Sequence, residues 1–171
     1  VLTPYFNKIL FNYLLLFSYM EELIKRAEEM GINVEDVLIS KDPKEEIRLR
    51  LELAKKYMKE CEEYLKTSDA IQASEKAYKV AEELVKALAE KFNLPEYQQA
   101  MKEGRWYTYL LTKAANSLAS KLGNWVSDGW SNGYLLHVWG FHEAKLTITD
   151  VTSYINRIRD MLNEAKKILG N

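Results

Sequence analysis

The chain holds one cysteine, three prolines and seven glycines in 171 residues, and it has no alternating polar–apolar run of strand length. One cysteine excludes an internal disulfide framework and a cysteine-rich zinc knuckle. So few breakers leave long unbroken segments, and the missing alternation argues against a sheet. A charge excess is also lacking, since 24 Lys and Arg against 25 Asp and Glu leave a net charge of −1. A protein that grips nucleic acid by its phosphates carries a basic excess or stripe, so charge gives a nucleic-acid partner no support. No glycine–lysine phosphate loop, no GxGxxG after a strand and no GxSxG elbow occurs. No apolar run reaches the roughly 20 residues that a bilayer span needs, so no membrane role is expected.

What remains is helical punctuation. The few glycines and prolines fall between apolar-periodic segments, and the pattern predicts helices at about 6–30, 34–40, 43–67, 69–92, 105–123, 133–145 and 149–169. With no repeat and no low-complexity linker, the chain reads as one all-α domain over 1–171. Its most apolar stretch, ILFNYLLLFSY at 9–19, is read either as a helix docking on the core or on a second subunit, or as an extension upstream of Met20.

Three helices are strongly determined. Over 43–67 the apolar set Ile47, Leu51, Ala54, Met58, Cys61 and Leu65 recurs at intervals of four and three, a seam along one face. Asp42, Pro43 and Glu45 supply a start signal. Glu46–Arg50, Glu52–Lys56 and Glu62–Lys66 place acid before base on what reads as the exposed side. Cys61, on the apolar face, is expected to be a buried, inert thiol. The last segment repeats the logic with Val151, Ile155, Ile158, Leu162, Ala165 and Leu169, with Thr147 or Thr149 as N-cap and Gly170 ending it. The 69–92 helix differs, because its inner face of Ala70, Ala73, Ala77, Ala81, Leu84 and Leu88 is small enough for close approach on several sides. It is expected mid-bundle, antiparallel to its predecessor across a short turn.

That helix also carries the most distinctive residues. The run IQASEKAYKVAEELVKALA at 71–89 resembles the "VQASEK-x-YKAAEE-x-VKALA" helix of the PaREP family of archaeal proteins, and LHVWGFHE at 136–143 is similar to that family's C-terminal part. The resemblance spans roughly 45–165. It implies a helical bundle similar to the HEPN type, whose members include ribonucleases, toxins and partners of nucleotidyltransferases. Active HEPN ribonucleases present an Arg and a His one to two turns apart on one helix. Here the nearest arginine before either histidine is Arg105, in a different helix, which departs from that pattern.

The only histidines, His137 and His142, are five residues apart. On an α-helix five residues turn through about 500°, leaving the rings about 140° apart and poorly placed as a metal pair. One semi-buried and one surface histidine is the expected arrangement, with no metal and no cofactor. Around them NWVSDGWSNGYLLHVWGFHE, at 124–143, concentrates three of the four tryptophans. Packing at a bundle end is the first reading, a self-association or partner surface the second, and a small-molecule pocket the third. The candidate surface is Arg105, Trp106, Trp125, Trp130, His137, Trp139, His142 and Glu143, with no catalytic residue assigned.

The sequence therefore predicts an antiparallel bundle of about five to seven helices, HEPN-like, cytoplasmic and self-associating as a homodimer or binding a protein partner. It reads as a non-enzymatic interaction module. The alternative is a HEPN-type nucleic-acid-processing or nucleotide-binding protein. A scaffold of tetratricopeptide-like helix pairs would require a repeat that is missing.

Overall fold

The amphipathic seams produce helices packed through their apolar faces, with no strand among the described residues, in the computed structural model of the chain. The structure describes residues 43–170 and ten positions between 12 and 29. Internal contacts divide the chain into two units, Val1–Ile39 and Ser40–Asn171. In the first, the ten described positions are helical and exposed, Leu14, Leu15, Tyr19 and Leu23 among them, and Arg26 pairs with Glu22 at 2.5 Å. The helix expected at 34–40 and the Asp42 cap lie outside the described residues, as does most of 1–19.

The second unit runs α1 (Pro43–Lys66), α2 (Ala70–Lys91), α3 (Pro95–Glu103), α4 (Thr108–Leu122), α5 (Trp125–Leu135), a π-helical stretch (Leu136–His142) and α6 (Ile148–Leu169). None of its described helices is long and apolar enough to cross a membrane. The turn between α1 and α2 is tight: Ser68 takes φ +57°, the Asp69 N–H returns to Tyr64 O at 2.9 Å, and the Asp69 side chain caps the Gln72 N–H at 3.0 Å. That reversal lays α1 and α2 antiparallel along their length. Of the α1 seam, Leu51, Ala54, Met58 and Cys61 are buried and Ile47 and Leu65 partly so, with Cys61 sealed and donating to Ala73 O at 3.4 Å. Burial pushes the Cys61 thiol up to about 12.

The centre of the bundle is α2, which packs against every other element of the unit. Its alanines let neighbours approach on all sides, and from Val80 to Glu90 every residue except Glu82 is buried. Truncating Leu84 or Leu88 to alanine there would cost about 2–5 kcal/mol, because rigid neighbours cannot close the hole. On the far side, α6 buries Val151, Ile155, Ile158, Met161, Leu162, Ala165 and Leu169. Thr147 caps α6 through a capping box with Asp150: the Asp150 N–H donates to Thr147 Oγ1 at 3.3 Å and the Thr147 N–H to Asp150 Oδ2 at 2.9 Å.

The exposed placing expected for Glu46 and Arg50 is overturned. Glu46 and Arg50 form an i,i+4 pair at 3.0 Å, but their side chains are only 5% and 3% exposed. Arg50 continues to Glu83 at 2.9 Å, and Lys86 sits 3.5 Å from Glu82 and 3.9 Å from Glu83. The pairing is thus a sealed charge network between α1 and α2, not a solvated face. The antiparallel contact turns these flanking positions inward, which periodicity within one helix cannot reveal. The other expected pairs rearrange too: Lys55 reaches Glu52 at 2.8 Å, and Arg159 of α6 binds Glu62 at 2.6 Å.

Candidate functional site

The site starts from three glycines at helix crossings. A Cβ on Gly129 would stand 2.8 Å from Met161 Cβ, one on Gly133 2.9 Å from Ala81 Cβ, and one on Gly140 2.6 Å from Ser74 Cβ. These residues therefore serve close packing, and they bring α5 and the π-helical stretch flat against α2 and α6. The helix expected over 133–145 in fact begins earlier, at Trp125, because its glycines are contact points, not breaks.

From Leu136 to His142 the backbone winds as a π-helix, and the Glu143 N–H reaches back to Val138 O at 2.8 Å. Such a turn closes over five residues instead of four, so side chains five apart fall on neighbouring turns of one face. This corrects the reading of the histidines as divergent. Their Nε2 atoms lie 3.1 Å apart, with ring centroids 4.4 Å apart at 83°. The stretch ends on Ala144 at φ +49°, a left-handed conformation that costs a non-glycine residue about 1 kcal/mol.

His137 is half-buried, and its Nδ1 lies 2.8 Å from Glu75 Oε2 on α2. A carboxylate can only accept, so His137 Nδ1 donates to it, and in the neutral ring Nε2 is left as an acceptor facing His142. His142 Nε2 then donates, and a chain runs from exposed His142 through His137 to Glu75. Tyr78 stacks beneath His137 with centroids 4.0 Å apart. Burial, and then the carboxylates of Glu82 and Glu75, push the Tyr78 hydroxyl well above its usual range, so it stays protonated. Phe141 flanks both imidazoles, at 6.2 Å from His137 and 5.0 Å from His142.

Of the eight residues singled out in the sequence, His137 and His142 come together. Trp139 is exposed on the same π-helical stretch, at 51%. Trp130 is buried, and its indole N–H donates to Thr112 Oγ1 at 3.1 Å, fastening α5 to α4. Trp125 donates to Leu122 O at 2.9 Å, and Trp106 is buried. These three tryptophans are packing. Arg105 lies over the Tyr107 ring, 4.2 Å from its centroid, and Glu143 is exposed next to His142. The residues sequence reasoning missed are Glu75 and Tyr78. Both belong to the QASEKAY run, and a polar, aromatic pattern on an otherwise alanine-rich helix was the available signal.

A second cluster is electrostatic. Glu83 is sealed beside Arg50 and Lys86. Burial raises its carboxyl, while those two cations oppose the shift. Glu90, 6% exposed, accepts from the Tyr97 hydroxyl at 3.4 Å. Burial, then the nearby Glu46 charge, pushes it up to about 7 against the pull of Arg50. Two shallow grooves open elsewhere, one along Pro95, Gln99, Tyr109 and Lys113, the other between Lys44, Arg48, Lys91 and Leu169.

The geometry defines an all-helical bundle with a π-wound histidine pair on its surface. The chain belongs to the archaeal PaREP1/PaREP8 family, whose model matches residues 49–162. It is similar to a protein of Sulfolobus solfataricus known from a crystal structure, with 34% identity and a TM-score of 0.64 over 69% of this chain and 97% of that one. Among curated proteins none matches.

Proposed function

We propose that the protein is a helical interaction module that associates with a second copy of itself through the surface of residues 134–142. The observation that carries this reading is Trp139, half exposed at 51%, with Tyr134 exposed at 42% nearby in sequence. Large amphipathic rings left open to water beside a rigid helix are the residues that most often anchor protein interfaces. The near-zero net charge lets two copies approach without long-range repulsion.

Sedimentation velocity of the full chain in chelator, over a range of concentrations, tests the reading. A dimer that Trp139→Ala or Tyr134→Ala shifts to monomer is the expected result. A monomer at every concentration would remove the proposal.

A second reading, HEPN-type processing of nucleic acid, is favoured by one observation, the chain from His142 through His137 to Glu75. Such a chain is the geometry of a general base whose ring is oriented by a carboxylate. It predicts RNA cleavage lost in His137→Ala. RNA left intact by the wild-type protein would exclude it.

A further inference from the structure

The two imidazoles can do more than share a proton. We propose that His137 Nε2 and His142 Nε2 together ligate a divalent first-row transition-metal ion of the zinc class, with Glu75 holding the His137 ring in the ligating orientation. This inference does not depend on self-association.

Three observations carry it. The first is spacing: the Nε2 atoms are 3.1 Å apart. Two nitrogens each about 2.0–2.1 Å from one ion, at a near-tetrahedral or right-angle opening, stand about that far apart. The rings cross at 83° with centroids only 4.4 Å apart. The second is the Glu75 contact, 2.8 Å from the opposite ring nitrogen of His137. Metal-bound histidines almost always donate their other N–H to a carboxylate or carbonyl, which fixes the tautomer and makes the ligating nitrogen more basic. The third is the backbone. Only π winding, set against α2 by Gly140, brings residues five apart onto one face, and such turns concentrate at functional sites.

The protons balance without release. His137 already carries its proton on Nδ1, so its Nε2 lone pair is free to ligate. His142 must move its proton from Nε2 to Nδ1, and it is exposed, so solvent water carries that exchange. Both rings stay neutral, the form that binds metal. No cluster of three or more metal-ligating side chains occurs among the described residues. The remaining positions are therefore filled by water or by a donor from outside the chain, and the ion is exchangeable, not structural. Neutral imidazole pairs suit Zn²⁺, Ni²⁺ and Cu²⁺ more than Mg²⁺ or Ca²⁺, which prefer oxygen.

The test is calorimetric titration of the chelator-stripped full chain with Zn²⁺, paired with Co²⁺ titration read by visible absorption. Saturable one-to-one binding is expected for the wild type. His142→Ala should abolish it with helical content unchanged, because that ring is exposed. Glu75→Gln should weaken it about 10–100-fold, the usual cost of losing a carboxylate behind a ligating histidine. Absence of Zn²⁺ binding in the wild type, or binding by His142→Ala equal to the wild type, would overturn the proposal and leave the pair as a hydrogen-bonded couple. Unchanged affinity in Glu75→Gln would overturn the part assigned to that carboxylate.

Discussion

The Arg50 guanidinium lies 2.9 Å from the Glu83 carboxylate across the α1–α2 contact, with both side chains at most 3% exposed. Together with Glu46, this fixes how the first two helices of the bundle face one another. Removing one partner strands the others away from water. Arg50→Ala is expected to cost about 3–5 kcal/mol in urea unfolding. Lys55→Ala, which breaks an exposed pair with Glu52, should cost no more than about 1 kcal/mol. Equal losses would show that the network is hydrated in solution.

Glu90 links the same region to pH. Its carboxyl is raised from 4.5 to about 7, first by burial and then by Glu46. A group raised on folding favours the protonated folded state. Its contribution is complete below 4.5 and is lost as pH rises through 7. Unfolding titrations at about pH 5 and about pH 8 should show the wild type losing stability relative to Glu90→Gln across that interval. A constant difference between the two proteins would contradict this assignment.

Gly140 sets the histidine pair. An alanine there would drive its Cβ to 2.6 Å from Ser74 Cβ on α2, and neither backbone can yield without shifting a helix. Gly140→Ala is expected to cost about 1–3 kcal/mol by overpacking. It should also separate His137 from Glu75 and Tyr78, seen as loss of the ring-current shifts of the stacked pair. Gly104→Ala, which meets nothing within 4 Å but sits at φ +72°, should lose stability while leaving those shifts in place.

Cys61 should be silent. Burial and a thiol pushed up to about 12 leave almost no thiolate at neutral pH. Thiol reagents are expected to label the native protein only as fast as it unfolds, and at once in denaturant. Rapid labelling of the folded chain would place this residue at a surface.

How much of this was legible in the sequence follows from what each element presents. α1, α2 and α6 were readable because their apolar residues fall on one stripe, and the boundaries agree to within two residues. α3 was missed, since PEYQQAMKE offers one buried residue, Ala100, and no periodic face; Pro95 at its start was the remaining clue. The first part of α5, before Gly133, fell outside the helix expected over 133–145 because Gly129 and Gly133 look like breaks until Met161 and Ala81 are placed against them. The sealed Glu46 and Arg50 looked like ordinary wet charges, because a single helix does not say what will lie beside it. The histidine pair was hidden by assuming α geometry, and nothing in LHVWGFH announces five-residue turns.

The π winding from Leu136 to His142 has one more consequence. It accommodates one residue beyond what regular α winding would fit into the same span, so its chemistry depends on length as well as on identity. Losing a single residue between the two rings, Val138 for instance, would let the segment relax to ordinary α turns. The rings would then stand four residues apart, about 40° around an α-helix, and would stay on one face. Spacing and winding are thus matched: rings five apart meet only on the π turn, whereas rings four apart would meet on ordinary α turns.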